Sequence, residues 1–181
     1  MTEMMIFRAG LVLAALVFAC SAGVFLRLRE PGLPRLEHFL RNRVAGAILA
    51  VLALAWCIPQ VRAVAWDALA PWLWPLAAVA ATLAYFYLDN VFARAVAGLL
   101  IMGAYTFLQV SFASRLATGV WGALAAWSWG SVGILIAAKP CFLRDFFRLT
   151  ARSALWRGIA FAATALSALL TVLAAVLAGK A

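Results

Sequence analysis

Long apolar stretches, broken by short polar interruptions, run the length of this chain. Crossing the ~30 Å hydrocarbon core of a bilayer takes ~20 apolar residues in a helix. Six stretches approach that length: Ile6–Leu26, Val44–Val61, Pro71–Leu88, Val91–Phe112, Leu116–Ala138 and Gly158–Ala178. In lipid, backbone polar groups are satisfied only in helices or closed barrels. Barrel strands alternate over ~10 residues, and these unbroken runs do not. The pattern predicts an all-α fold, a polytopic membrane bundle of six transmembrane helices in one domain over residues 1–181.

From Leu76 to Phe112 the apolar pattern is nearly continuous, interrupted mainly by Asp89, Asn90 and Arg94. Asp and Asn end one helix and cap the next, so a tight helical hairpin capped by Asp89 or Asn90 is expected there. The rival is one long tilted helix and five spans in all, but tilt absorbs only a few surplus residues.

Two polar segments carry helical periodicity of their own. Over Phe142–Arg152, Arg144, Arg148 and Arg152 recur every four residues, opposite Phe142, Phe146 and Leu149, with Pro140 starting the segment. Over Pro34–Arg43, Leu36, Phe39 and Leu40 oppose Arg35, Arg41 and Arg43, and Glu37 is expected to pair with Arg41 four residues on. Basic, amphipathic and aromatic segments of this kind predict short interfacial helices.

Composition reinforces the membrane reading. The chain is 68% hydrophobic and 12% charged, against ~45–50% and ~25% in soluble domains. The net charge of +9 does not point to nucleic acid, because the basic residues occupy short loops between apolar runs rather than a folded polar face. Anionic lipid headgroups are the expected partner of these Arg-rich segments.

Eleven of the fifteen Lys and Arg residues fall on one side of the predicted spans: Arg27, Arg29, Arg35, Arg41, Arg43, Arg94, Lys139, Arg144, Arg148, Arg152 and Arg157. Arg8, Arg62, Arg115 and Lys180 fall on the other. Positive loops stay cytoplasmic, so both termini are expected outside, in the inner (plasma) membrane of a bacterium. Trp56, Trp66, Trp72, Trp74 and Trp121 fall near predicted outer ends and Trp156 near an inner one, as in an interfacial belt. Trp127 and Trp129 fall deeper and are expected to pack between helices.

Small residues at four-residue spacing let helices approach closely in lipid. Such rows are Ala15, Ala19 and Gly23; Gly122, Ala126 and Gly130; and Ala160, Thr164 and Ala168. Val17–Cys20 resembles a lipoprotein cleavage box, but the apolar run continues past Cys20 to Arg27, which reads as the end of a span.

The acidic residues Glu3, Glu30, Glu37, Asp67, Asp89 and Asp145 all fall at span ends or in loops. Proton relays place ionisable groups inside the hydrocarbon, so a carboxylate-coupled transporter is disfavoured. His38 is the only histidine, and Cys20, Cys57 and Cys141 share no motif. No metal site, cofactor or catalytic residue is therefore expected.

Two groups of polar residues remain as candidate sites. An inner cluster gathers Asp89, Asn90, Arg94, Lys139, Arg144 and Asp145, suited to a headgroup phosphate or to an ion-paired collar. An outer one gathers Gln60, Asp67, Tyr105 and Gln109, with Gln109 expected to be the most buried strongly polar side chain. The leading functional expectation is a non-enzymatic accessory or scaffolding subunit with a membrane-protein partner or a second copy of itself. The alternatives are a small permease or lipid-binding protein using the inner cluster and, less favoured, a membrane enzyme acting on lipid headgroups.

Overall fold

The computed structural model describes residues 2–113 and 119–177, with side-chain surroundings for 9–109, 112 and 122–176. Helix makes up 89% of the structure, with no strand among the described residues. The helices are α1 (Thr2–Arg27), α2 (Leu33–Leu40), α3 (Arg43–Arg62), α4 (Leu73–Tyr87), α5 (Val91–Ala113), α6 (Gly119–Ala138), α7 (Cys141–Arg152) and α8 (Ala154–Leu177), with 3-10 turns at Glu30–Gly32 and Ala70–Trp72. The expected span limits at Leu116 and Ala178, the residues Arg115 and Lys180, and the side chains of Glu3, Arg8 and Trp121 lie outside the described residues.

Four stretches are long and apolar enough to cross a membrane: Ala9–Arg27, Arg43–Arg62, Val91–Gln109 and Ala154–Val176. A fifth arises if α6 and α7 count together, although the chain bends by 111° between them. The bend falls where Pro140, which lacks an N–H, interrupts the helical ladder, and α7 restarts with Phe142 N–H donating to the Lys139 carbonyl. The expected third span differs most. It resolves into the Ala70–Trp72 turn followed by the 15-residue α4, about 22 Å of helix at ~1.5 Å per residue.

The break expected at Asp89 and Asn90 is present. Helix α4 ends at Tyr87, Leu88 is extended, and Asn90 takes a left-handed backbone with φ 58°. Asn is among the few non-glycine residues that adopt this conformation readily. Its carbonyl then accepts the first bond of α5, from Arg94 N–H.

The chain forms two compact units. The first comprises residues 1–33, 104–128 and 145–181. In it α1 and α8 pack side by side and antiparallel, since Arg157 at the start of α8 reaches Leu28 just past the end of α1. The buried seam on α1 is Leu11, Ala15, Ala22 and Phe25, with Phe18 half-buried between them. These positions alternate in steps of four and three, the spacing that keeps a seam facing its partner.

The expected Ala15–Ala19–Gly23 row is therefore corrected: Ala19 and Gly23 are exposed. Each four-residue step overshoots a full turn by about 40°, so a strict four-residue row rotates off the interface. The α8 row fares better, with Ala160 buried and Thr164 and Ala168 half-buried before Thr171 and Ala174. The hydroxyl of Thr171, 1% exposed, donates to the carbonyls of Ser167 and Ala168, so this buried polar group is satisfied within its own helix. Phe25 stacks on Phe147 at 5.3 Å and meets Phe146 edge-on at 5.9 Å, pinning the middle of α7 to the end of α1.

The second unit comprises residues 34–103 and 129–144. Here α3 packs on α4, and Ala93, Ala97 and Ile136 form a buried cluster with Leu100, Ala137 and Leu143 around it. Two glycines permit close approach. A Cβ on Gly46 would lie 2.7 Å from the Phe92 backbone nitrogen, and one on Gly133 would lie 3.0 Å from the Ala97 carbonyl oxygen and 2.9 Å from Ile101 Cγ1. Phe39 of α2 meets Phe92 edge-on at 5.3 Å.

Trp127 corrects a further expectation. It is 69% exposed rather than packed between helices, because Ala125 and Ala126 take the buried face of that turn. Trp129 is half-buried.

Candidate functional site

In the second unit three breaks between helices come together: α2 to α3, α4 to α5, and α6 to α7. Between them lies a cavity of about 440 Å³, within the range of small-ligand sites. Its walls are Glu37, Leu40, Arg41, Asn42 and Arg43 from the first break, Leu88 to Ala93 from the second, and Pro140, Leu143 and Arg144 from the third.

Each break exists for a local reason. At the first, the Asn42 side-chain oxygen accepts from Val44 N–H at 3.0 Å and Ala45 N–H at 3.2 Å, satisfying two of the donors that begin α3. At the second, left-handed Asn90 turns the chain. At the third, Pro140 does so. The cavity is thus walled by helix ends, where backbone polarity is greatest.

Of the inner cluster expected from sequence, Asp89, Asn90 and Arg144 line this cavity. Arg94 and Lys139 belong to the same unit but do not line it, and both are exposed. Asp145 belongs to the first unit. Glu37, Arg41, Asn42 and Arg43 line the cavity but were absent from that cluster. Their periodicity identified an amphipathic segment, and nothing in the spacing showed that it folds beside Asp89.

The charges are mixed, and some already have partners. Glu37 and Arg144 each engage another group of the fold. Among the described residues, Arg41 and Arg43 have no acidic group within 4.0 Å, which corrects the expected pairing of Glu37 with Arg41. Asp89 stands just before the first turn of α5, where the helix dipole favours a negative charge.

The outer candidates are divided. Gln60 and Asp67 lie in the second unit, Tyr105 and Gln109 in the first. Gln60 is half-buried and its Oε1 has no hydrogen-bond partner, whereas Asp67 is exposed. Gln109 is exposed, which corrects the expectation that it is the most buried polar group. On the preceding turn, Thr106 Oγ1 is the atom that is buried without a partner. Three positions separate Thr106 from Gln109, leaving them about 60° apart around the helix.

His38 is exposed on α2, and Cys20, Cys57 and Cys141 are free thiols. Among the described residues no group of three His, Cys, Asp or Glu converges to hold a metal ion. Trp56, Trp66, Trp72, Trp74 and Trp156 are exposed. Compared with known proteins, the chain matches no family model, no curated protein and no solved structure, so the chemistry of the cavity is read from its own side chains.

Proposed function

We propose that this chain is a six-span protein of a bacterial inner membrane, with both termini outside, acting as a non-enzymatic accessory or scaffolding subunit of a membrane complex. The observation that carries this reading is the outward face of the long helices. Only 11% to 33% of each spanning stretch is buried within the fold, and Leu13, Ile48, Val51, Leu166 and Leu169 are among the apolar side chains left exposed. Surface of that extent is stable against lipid or against another membrane protein and unstable in water. Little mass lies outside the helices: the longest connection between described helical elements runs only from Ala63 to Leu69. In this reading α4 completes the sixth span with the Ala70–Trp72 turn, and α2 and α7 lie at the cytoplasmic interface.

The test is purification of the full chain in a mild detergent, followed by mass spectrometry of what remains bound. A protein partner at fixed stoichiometry, or a defined homo-oligomer, is the expected result. A monodisperse monomer holding no protein would overturn the accessory role.

A second reading, a lipid- or small-molecule-binding membrane protein or small permease, is favoured by one observation: the polar cavity at the helix breaks of the second unit.

A further inference from the structure

We infer that the cavity between the α2–α3, α4–α5 and α6–α7 breaks binds a phosphate group, carried on a lipid headgroup or free in solution. This inference rests on the second reading above and names its ligand chemistry. Four observations converge on it. The space, about 440 Å³, holds a phosphate with part of what it is attached to. Two of its guanidinium groups, Arg41 and Arg43, have no acidic partner among the described residues. Of the two acidic groups in its wall, Glu37 engages another group of the fold and Asp89 stands just before the first turn of α5, and neither lies within 4.0 Å of a nitrogen of Arg41 or Arg43. Arg144, which engages another group of the fold, adds a third cation to the wall.

With three arginines against two carboxylates, the wall carries net positive charge. The planar fork of arginine matches a phosphate with two parallel hydrogen bonds, which lysine does not offer. The first turn of α5, Val91 to Ala93, also lines the space, and helix-start N–H groups add to the same preference. Arg94 and Lys139, outside the wall, contribute only long-range attraction, which salt screens within about 8–10 Å.

The experiment is native mass spectrometry of the full-length protein in mild detergent, titrated separately with phosphatidylglycerol and with diacylglycerol of the same chains. Inorganic phosphate is then added as a competitor. The expected result is one phosphatidylglycerol per chain, at least about tenfold tighter than diacylglycerol, on the scale of charge-assisted hydrogen bonds. The paired variant Arg41→Gln/Arg43→Gln should lose that preference. Arg27→Gln/Arg29→Gln, which removes the same charge from exposed positions of the first unit, should keep it within about twofold. Asp89→Asn should tighten phosphatidylglycerol binding.

Competition by millimolar inorganic phosphate identifies a free-phosphate site, and its absence identifies a lipid-headgroup site. Either result upholds the phosphate chemistry. Equal binding of diacylglycerol and phosphatidylglycerol overturns the proposal while leaving lipid binding standing, and this comparison needs no variant. Equal losses in the two paired variants also overturn it, showing diffuse attraction rather than a site. Failure to bind any of the three probes overturns the inference and the second reading together.

Discussion

Arg157 donates from Nη1 to the main-chain carbonyl oxygen of Leu28 across 3.3 Å, tying the first turn of α8 to the end of α1. The last carbonyls of a helix have no partner within it, and a cation there also meets the negative end of the dipole. Half-burial of Arg157 shields this bond from water. The neighbouring pair, Arg152 Nε to Glu30 Oε1, is 3.6 Å long with its side chains 70% and 68% exposed.

The two contacts should therefore differ in worth. Arg157→Met is expected to destabilise the chain by about 1–3 kcal/mol, since it leaves a partly buried carbonyl unmet. Glu30→Gln should cost no more than a few tenths of a kcal/mol, as exposed ion pairs do. Thermal unfolding in detergent, followed by circular dichroism, checks both. Equal midpoints for the two variants would show that Arg157 stabilises nothing beyond a surface contact.

The glycines separate into two classes. Gly46→Ala forces a Cβ against the Phe92 backbone, and Gly133→Ala forces one against the Ala97 carbonyl. Each is expected to cost about 1–3 kcal/mol through displaced helices. Gly10 and Gly23 meet nothing within 4 Å, so Ala at either should be neutral or stabilising by up to about 1 kcal/mol from helix propensity. The same unfolding assay tells the classes apart.

Asn42 and Asn90 hold two of the cavity's three breaks for different reasons, and substitution distinguishes them. Asn42→Ala removes two N-cap bonds and should cost about 1 kcal/mol, with Asn42→Asp retaining stability. Asn90→Gly should be tolerated because φ 58° suits glycine, whereas Asn90→Val should cost at least about 1–2 kcal/mol. Hydrogen exchange at the first turns of α3 and α5 locates each loss.

Orientation is checked by labelling. In a chain freed of its three cysteines, Arg35→Cys and Arg148→Cys should react with a membrane-impermeant maleimide only after the cytoplasmic face is opened. Asp67→Cys should react in intact cells. Reaction of Asp67→Cys only after opening would place Ala63–Leu69 inside and reverse the proposed topology.

Much of the fold is legible in the residues themselves. Apolar runs of the length lipid demands identify the long helices, and the Asp89–Asn90 break is visible because those residue types end helices. The Pro140 break is equally local. The short α4 is less so: Pro71 and Pro75 sit within the expected third span, but where its regular helix begins depends on how the Ala70–Trp72 turn packs.

Periodicity fixes which residues share a helix face and is silent about which face finds a neighbour. The α1 seam runs through Leu11, Ala15, Ala22 and Phe25 because α8 lies alongside it, a choice that no row of small residues encodes. Gln109 looked buried from its place in an apolar run, yet burial belongs to Thr106 on the turn before. Arg41 and Arg43 join Asp89 only because separate breaks meet in space. Local chemistry determined where this chain turns, since backbone donors and apolar length act over a few residues. Packing between distant helices decided which turns meet, and with them the cavity and its charges.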